Sequence, residues 1–335
     1  MISVIIEPSY DTRELIKTLN NLQLDYQIVL GPTDDYFNNI NKTLQQAIKA
    51  PSGKPIRAII NLYEECNARG QMLADLLYNQ PIPCTSPNAS LYDITRYDLK
   101  STCLKTNSKT PLYFFSEGMD SVDSIKLNLK GLMKKGVTNV FIKPGRGFNS
   151  IGIDKESCQP LMFQDESSFD TIIHKIEYVA QQFGSALVEE YIDGKEISIL
   201  ILPPLELGQQ PLVLKPVEFC FKKALLDQNF ITNEWKLNYE IEYWYEENAY
   251  DQEGCLEAMN MVKDVYQSFN FNTYVRFDIR IRKTSNNIVE CFLLDVNTCC
   301  SVINYSTAVT ILKANGKDNN WFVDYIIKSA TNLKK

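Results

Sequence analysis

The chain contains a single histidine, and although it has nine cysteines in 335 residues, no two of them have the C-x-x-C spacing. One histidine argues against a metal site or a proton-transfer site built on imidazole. The cysteine number is odd and only Cys299 and Cys300 are adjacent. This pattern indicates neither a disulfide framework nor a zinc site, and reduced thiols in a cytosol fit it best.

The chain is also short of positive charge, with a formal net charge of −7, which argues against a nucleic-acid-binding surface. No apolar run approaches the length of a membrane span, and the amino terminus lacks a cationic segment followed by a long apolar one. We therefore expect a cytoplasmic protein with neither nucleic-acid nor membrane partners. Any anionic ligand must be held by local positive groups.

Hydrophobic patterning predicts an α/β beginning with a parallel sheet, in which two buried strands are separated by helical segments. The proline-rich stretch PIPCTSPNAS interrupts this pattern, and we place a first domain boundary near residue 85. Further strands and helices follow it. The predicted strands are 2–6, 56–62, 140–143, 186–190 and 196–202, and the predicted helices are 12–22, 91–105 and 169–183.

Residues 274–306 carry most of the chemistry. Strict alternation predicts a strand with Arg276 and Asp278 on one face, and a turn then leads to a second strand on which Asp295 and Asn297 share a face. Two carboxylates on paired strands repel each other unless a cation lies between them. Oxygen ligands of this kind suit Mg²⁺ shared with phosphate. The alternative is an exposed sheet face that meets only water.

Two further segments contain groups that suit a nucleotide. In residues 140–153, Lys143 ends a buried strand and three glycines follow, so backbone N–H groups and a point charge can approach a phosphate. In residues 186–198, Glu189 and Glu196 flank a short link between apolar strands and can serve a base edge and ribose hydroxyls. A plain hairpin loop and solvated surface charge are the respective alternatives.

Taken in order, the lysine with its glycine loop, the paired glutamates, and the R-x-D and D-x-N hairpin resemble the ATP-grasp superfamily. The nearer resemblance is to its D-alanine–D-alanine ligase branch, and it covers nearly the whole chain. It implies a three-domain α/β fold, with an N-terminal Rossmann-like domain (1–87), a central domain with the glycine loop (88–184) and a C-terminal domain with the metal site (185–335). The last two domains would contain antiparallel sheets.

The resemblance also implies the roles of individual residues. ATP would be held by positions that match the family's phosphate, adenine and ribose contacts, and two Mg²⁺ ions would be held on the hairpin. The nucleotide-binding residues would be Arg96, Lys143, Glu189, Glu190, Ile192, Glu196 and Asn297. The metal ligands would be Asp278, Asp295 and Asn297, the catalytic residues would be Arg276, Ser150 and Tyr243, and the substrate contacts would be Ser301, Ser306 and Glu14.

Several positions depart from the family pattern. Arg96 replaces a phosphate-binding lysine, unless the register slips to Lys100, and a guanidinium differs from an ammonium in geometry. Thr12 replaces a glutamate that binds a substrate amine, so that only Glu14 or Asp11 could take its part. Glu242 replaces a lysine that reaches the γ-phosphate, and a carboxylate there is repulsive. A Cys-Ser pair, Cys300-Ser301, replaces Pro-Gly at the oxyanion hole.

We therefore expect an ADP-forming carboxylate–amine ligase that acts on amino acids or similar molecules, with a substrate pair other than two D-alanines. Two alternatives remain open. The first is a catalytically weak ATP-binding protein of the same fold, and the second is a small-molecule kinase on this scaffold. The resemblance allows a homodimer without fixing one.

Overall fold

The computed structural model describes residues 1–8, 11–33, 37–64, 68–147, 150–162, 166–221, 230–234, 243–246, 253–302 and 306–334. In these residues the helices are α1 (Arg13–Asn21), α2 (Phe37–Ile48), α3 (Ala68–Tyr78), α4 (Ala89–Tyr92), α5 (Arg96–Lys105), α6 (Val122–Lys134), α7 (Glu166–Phe183), α8 (Cys255–Phe269), α9 (Thr307–Ala314) and α10 (Asn319–Leu333). The strands are β1 (Ile2–Ile6), β2 (Tyr26–Leu30), β3 (Ala58–Leu62), β4 (Tyr113–Ser116), β5 (Asn139–Pro144), β6 (Cys158–Pro160), β7 (Ala186–Glu190), β8 (Lys195–Leu202), β9 (Leu212–Val213), β10 (Val217–Phe221), β11 (Tyr243–Glu246), β12 (Val275–Lys283) and β13 (Val289–Asn297).

The first sheet is parallel, with the strand order β2-β1-β3. Its central strand is apolar on both faces, as a parallel sheet covered by helices requires. Val4 packs on one side with Leu19 of α1, and Ile5 packs on the other side with Ile40 of α2. The C-terminal helix α10 contributes Phe322 to the first of these two cores. The predicted parallel sheet is therefore confirmed.

The second sheet is antiparallel, with the order β4-β7-β5-β6, and its core is formed with α6 and α7. Strands β5 and β7 are neighbours, and Phe141 lies opposite Glu189 in their register. Lys143 and Glu189 consequently belong to adjacent strands. A lysine that lies far from a glutamate in sequence is brought beside it by this pairing.

The third sheet has the order β11-β10-β8-β12-β13, and β9 pairs with the last two residues of β8. Its β12–β13 hairpin is the one predicted from residues 274–306. Asp278 lies directly opposite Asp295, and Arg276 lies opposite Asn297, next to an irregularity between Asp278 and Ile279. The predicted juxtaposition of the two carboxylates is confirmed.

The prediction of a single helix over residues 91–105 is wrong, because the structure has two helices there, α4 and α5. Asn88 caps the first through the Leu91 N–H. Thr95 caps the second through a capping box with Asp98, and this second start signal interrupts the helix. Helix α5 therefore begins at Arg96, and Arg96 and Lys100 lie one turn apart on its buried face.

The fold class is confirmed as a mixture of α-helices with one parallel and two antiparallel sheets. Across the described ranges, no helix is both long enough and apolar enough to cross a membrane.

Candidate functional site

A cavity of about 830 Å³ lies between the two antiparallel sheets and extends to the carboxyl edge of the parallel sheet. Of the residues predicted from sequence whose side chains the structure describes, all except Glu14 line it. These lining residues are Arg96, Lys143, Ser150, Glu189, Glu190, Ile192, Glu196, Arg276, Asp278, Asp295, Asn297, Ser301 and Ser306. The fold thus gathers into one cavity residues that are spread over more than 200 positions of the chain.

A buried ionic network lies on one wall of the cavity. The Glu189 carboxylate contacts Lys100 Nζ at 2.6 Å and Lys143 Nζ at 2.8 Å. Asp295 is paired with Arg96 at 2.9 Å, and Lys143 reaches it at 3.4 Å. Three cations therefore surround two carboxylates. The excess of positive charge suits an anion such as a phosphate group.

Two opposing effects act on the acids of this network. Burial raises the pKa of Asp295, but the positive charges of Arg96 and Lys143 outweigh it and hold this pKa well below its usual range. Burial likewise raises the pKa of Glu189, whereas Lys100 and Lys143 lower it, and the net shift is downward. Both carboxylates consequently remain ionised at neutral pH.

The two aspartates of the hairpin are neutralised separately. Arg276 donates to Asp278 from Nε at 3.0 Å and from Nη2 at 2.9 Å, and Ser198 donates to the same carboxylate at 2.7 Å. Asp295 has its own arginine, Arg96. The repulsion expected between two facing carboxylates is therefore relieved by two guanidinium groups.

The hairpin supplies only part of a metal's coordination shell. In the described segments, no group of three or more histidine, cysteine, aspartate or glutamate side chains is placed to hold a metal ion. Asp278, Asp295 and the amide of Asn297 nevertheless offer oxygen ligands of the type that Mg²⁺ takes alongside water and phosphate. The donor chemistry fits Mg²⁺ bound together with a phosphorylated ligand.

A second part of the cavity, next to this ionic wall, is aromatic. Phe141 stacks on Tyr191 with ring centroids 6.2 Å apart and meets Phe230 edge-on at 5.0 Å. Ile192 and Glu190 line the cavity beside these rings. Planar aromatic walls next to a strand end are suited to a flat heterocyclic base.

Glu189 was expected at the base edge, but its carboxylate is buried between two lysines of the ionic network. The pairing of β5 with β7 accounts for the contact with Lys143, because it brings the end of β5 beside Glu189. Glu190, the next residue of β7, also lines the cavity and accepts from Arg282 Nη1 at 2.5 Å.

A third part of the cavity lies at the carboxyl edge of the parallel sheet. It contains two acids that sequence reasoning missed, Glu7 and Glu64. The Glu64 N–H donates to Glu7 Oε1 at 3.0 Å, and the Glu64 side chain is hydrogen-bonded to Ser301. A sequence signal was available. Glu7 follows β1 and Glu64 lies two residues after β3, and the carboxyl ends of adjacent parallel strands meet at one edge of the sheet.

Ser306 lies at the same end and is the N-cap of α9, accepting from the Val309 N–H at 3.3 Å. Thr307 follows it and shares a hydrogen bond of 2.5 Å with the hydroxyl of Tyr245. The first turn of a helix thus faces the cavity. The N–H groups of such a turn favour a bound carboxylate.

Glu14 lies on the exposed side of α1, 3.8 Å from Lys17, and is not among the described residues that line the cavity. Glu14 is exposed because the helix turns the next residue, Leu15, toward the core. Tyr243 has its backbone in β11 opposite Phe221, while its side chain and Glu242 lie outside what the structure describes.

Burial raises the pKa of Glu64 from 4.5 to about 7, and Glu7 adds to this, while the Ser301 hydrogen bond and Arg276 oppose it. Native Glu64 therefore binds a proton more tightly than the unfolded chain does, and its contribution to stability is lost as the pH rises through 7. We expect Glu64→Gln to become more stable relative to the parent by roughly 2–3 kcal/mol between pH 4.5 and 8. Urea unfolding of both proteins across this range measures the difference, and a pH-independent difference would contradict the assignment.

The sequence profile described as "D-ala D-ala ligase C-terminus" matches residues 122–328. This covers more than half of the chain, so the protein belongs to this family of ATP-grasp proteins. A search of curated protein sequences finds no match.

Solved structures with the same fold match over nearly the full length. The VanG D-Ala:D-Ser ligase from Enterococcus faecalis has 14% identity and a TM-score of 0.67, with 98% of each chain covered. The D-alanine–D-alanine ligase from Bacillus anthracis, also solved in complex with ATP, has 18% identity and a TM-score of 0.67, with 99% of this chain and 98% of that chain covered. At such identities the similarity establishes the fold, and the chain is a divergent member.

Proposed function

We propose that the protein is an ADP-forming, ATP- and Mg²⁺-dependent carboxylate–amine ligase. The observation that carries this proposal is the single cavity that joins three environments: an aromatic corner, a wall with excess positive charge next to two aspartates, and an end that offers both an arginine and acids. These suit a base, a triphosphate with metal, and a pair of small polar substrates. Membership in the family supports the same reading.

The proposed reaction has two steps. A substrate carboxylate attacks the γ-phosphorus of ATP, so that a P–O bond forms, the bond to the bridging oxygen breaks, and ADP leaves. The amine of the second substrate then attacks the carbonyl carbon of the acyl phosphate. After the amine loses a proton, the C–O bond breaks and inorganic phosphate leaves with an amide as the product.

Each part of the cavity has a task in these steps. Lys143 and Arg96 bind phosphate oxygens and disperse the charge that moves during transfer. Asp278, Asp295 and Asn297 would hold Mg²⁺, which neutralises phosphate charge when bound.

The remaining assignments concern the substrates. Arg276 lies beside Asp278 and donates to the oxyanion that forms when the amine attacks. Ser306 and the first turn of α9 hold a substrate carboxylate. Glu7 and Glu64, rather than Glu14, are the acids available for an amine. Because these acids differ in position from Thr12 and Glu14, where the family pattern predicts amine recognition, we propose a substrate pair other than two D-alanines.

One observation favours a second candidate, a nucleotide-binding protein with weak catalysis. Both hairpin aspartates are held by bidentate arginine pairs, Arg276 with Asp278 and Arg96 with Asp295. If these pairs persist when ATP binds, the carboxylates are not free for a metal.

ADP release from purified protein with ATP and Mg²⁺ distinguishes the two candidates when it is scanned across pools of amino acids, D-amino acids, dipeptides and hydroxy acids. The ligase predicts ADP only with a particular carboxylate and amine together. Tight ATP binding without ADP in any pool supports the second candidate, and a stable phosphorylated product without an amine requirement indicates a kinase.

A further inference from the structure

Arg280 is a buried guanidinium group that lines the aromatic corner of the cavity, with only 3% of the residue exposed. It lies on β12 directly opposite Glu196 of β8. Its Nε and Nη2 atoms donate to Glu196 Oε2 at 3.3 and 3.2 Å. The fork of one guanidinium therefore holds one carboxylate oxygen with two donors, which fixes the direction of that carboxylate.

The same guanidinium also holds the chain that follows β7. Its Nη1 atom donates to the backbone carbonyl of Ile192 at 2.9 Å and to the Tyr191 hydroxyl at 3.1 Å. Its central carbon lies 5.0 Å from the centroid of the Tyr191 ring. Arg280 thus connects an aromatic wall, a backbone carbonyl at the cavity and the carboxylate of Glu196.

Burial differs sharply between the two partners of the ion pair. The Arg280 side chain is 4% exposed, whereas the Glu196 side chain retains 29% exposure and lines the cavity. A carboxylate has about four acceptor positions on its two oxygens. A carboxylate that is fixed at Oε2 and open to the cavity is suited to accept hydrogen bonds from hydroxyl groups of a ligand.

We propose that Arg280 is a positioning residue that sets the selectivity of this site for a ribonucleotide. It holds Glu196 so that the carboxylate accepts from the ribose hydroxyls of ATP, and it fixes Ile192 at the position where the base lies. This inference rests on the proposed nucleotide-binding function. It adds a determinant of sugar selectivity that lies behind the residue in contact with the sugar.

The test compares the binding of ATP, 2′-deoxy-ATP and 3′-deoxy-ATP by the full chain in titrations with Mg²⁺. A hydroxyl that donates to a charged acceptor contributes enough affinity for the parent to prefer ATP by about tenfold over at least one deoxy analogue. In Arg280→Met this preference falls to about twofold or less, because Glu196 loses its fixed direction. In Arg280→Lys the preference is intermediate, since an ammonium keeps the charge but not the fork.

A purely structural role for Arg280 predicts a different result. The affinities for all three nucleotides then fall by the same factor in Arg280→Met, and the preference for ATP is retained. That result would overturn the inference, as would a parent protein that binds all three equally. Absence of any nucleotide binding by the parent would instead refute the proposed function. If Arg280→Met fails to fold, the other variants carry the test. Glu196→Gln must then abolish the preference for ATP over the deoxy analogues, and Arg280→Lys must reduce it.

Arg282 provides a matched control on the same strand. Its guanidinium is also held by carboxylates, at 2.5 Å from Glu190 and 3.1 Å from Glu290, and it lies 4.7 Å from the centroid of the Phe292 ring. It is not among the described residues that line the cavity. Arg282→Met must leave the preference for ATP over the deoxy analogues unchanged, and a loss of preference there as large as in Arg280→Met would overturn the inference.

Discussion

Asp278→Asn is expected to lower the rate of ADP formation by about 10³-fold or more, because a metal in phosphoryl transfer contributes several kcal/mol of charge stabilisation and 1.4 kcal/mol corresponds to a factor of ten. Asp278 accepts from Arg276 and Ser198 and lies opposite Asp295. An amide keeps the shape but removes the charge that Mg²⁺ and Arg276 both require. The measurement is the steady-state rate of ADP release at saturating ATP.

Glu290→Gln is the control for this variant. Glu290 lies on the same hairpin and receives two donors from Arg282, at 3.3 and 3.1 Å, as Asp278 does from Arg276. It is not one of the described cavity residues, and its replacement should leave the rate within a factor of about two, because a partly exposed ion pair contributes little and this one lies outside the cavity. Undiminished turnover in Asp278→Asn would refute the assignment of the hairpin as the metal site.

Lys100→Met is expected to destabilise the protein by about 3 kcal/mol, because removal of one partner of a buried ion pair leaves the other charge short of compensation. Lys100 is fully buried, and its ammonium group donates to Glu189 at 2.6 Å and to the Thr110 hydroxyl at 2.6 Å. Lys143 alone would then balance Glu189 while it also serves Asp295. Urea unfolding monitored by circular dichroism gives the free-energy difference.

Two further variants show whether the loss of stability in Lys100→Met comes from the charge that remains on buried Glu189. The double variant Lys100→Met/Glu189→Gln should recover most of the lost stability, since replacing both partners of a buried pair is often nearly neutral. Lys54→Met removes a pair of the same 2.6 Å length, Lys54–Asp25, whose side chains are 60% and 52% exposed. A surface pair of this kind contributes about 1 kcal/mol at most. An equal loss in Lys54→Met and Lys100→Met would contradict the role of burial.

Local patterns in the sequence were sufficient for the elements that carry the site. Alternation placed Asp278 and Asp295 on facing strands, and their observed register agrees. Apolar runs predicted the parallel strands β1 and β3. The break between α4 and α5 has its own sequence signal, because Asn88 and Thr95 are both strong N-cap residues, and the prediction of one continuous helix misses it.

Contacts between distant segments could not be read from these patterns. The pairing of Arg96 with Asp295 joins positions 199 residues apart, and it depends on how α5 packs against the hairpin. The place of Glu189 between two lysines likewise depends on the pairing of β5 with β7. Short-range periodicity indicates the face of a strand but not the element that will cover it.

The departures from the family pattern acquire a physical meaning in the structure. Arg96 keeps the positive charge of the expected lysine but uses its fork on Asp295 and on the Pro144 carbonyl, at 2.6 Å. Thr12 is the N-cap residue of α1 and makes no side-chain capping hydrogen bond. It is not among the described residues that line the cavity, whereas Glu7 and Glu64 are.

The most direct test of the central claim is the transfer of ¹⁸O from labelled carboxylates to inorganic phosphate during ATP turnover with an amine present. A ligase that forms an acyl phosphate must deliver one carboxylate oxygen to the phosphate product, so we expect one ¹⁸O per phosphate released and an equal amount of amide. Turnover that releases unlabelled phosphate, or no turnover with any carboxylate and amine pool, would contradict the account.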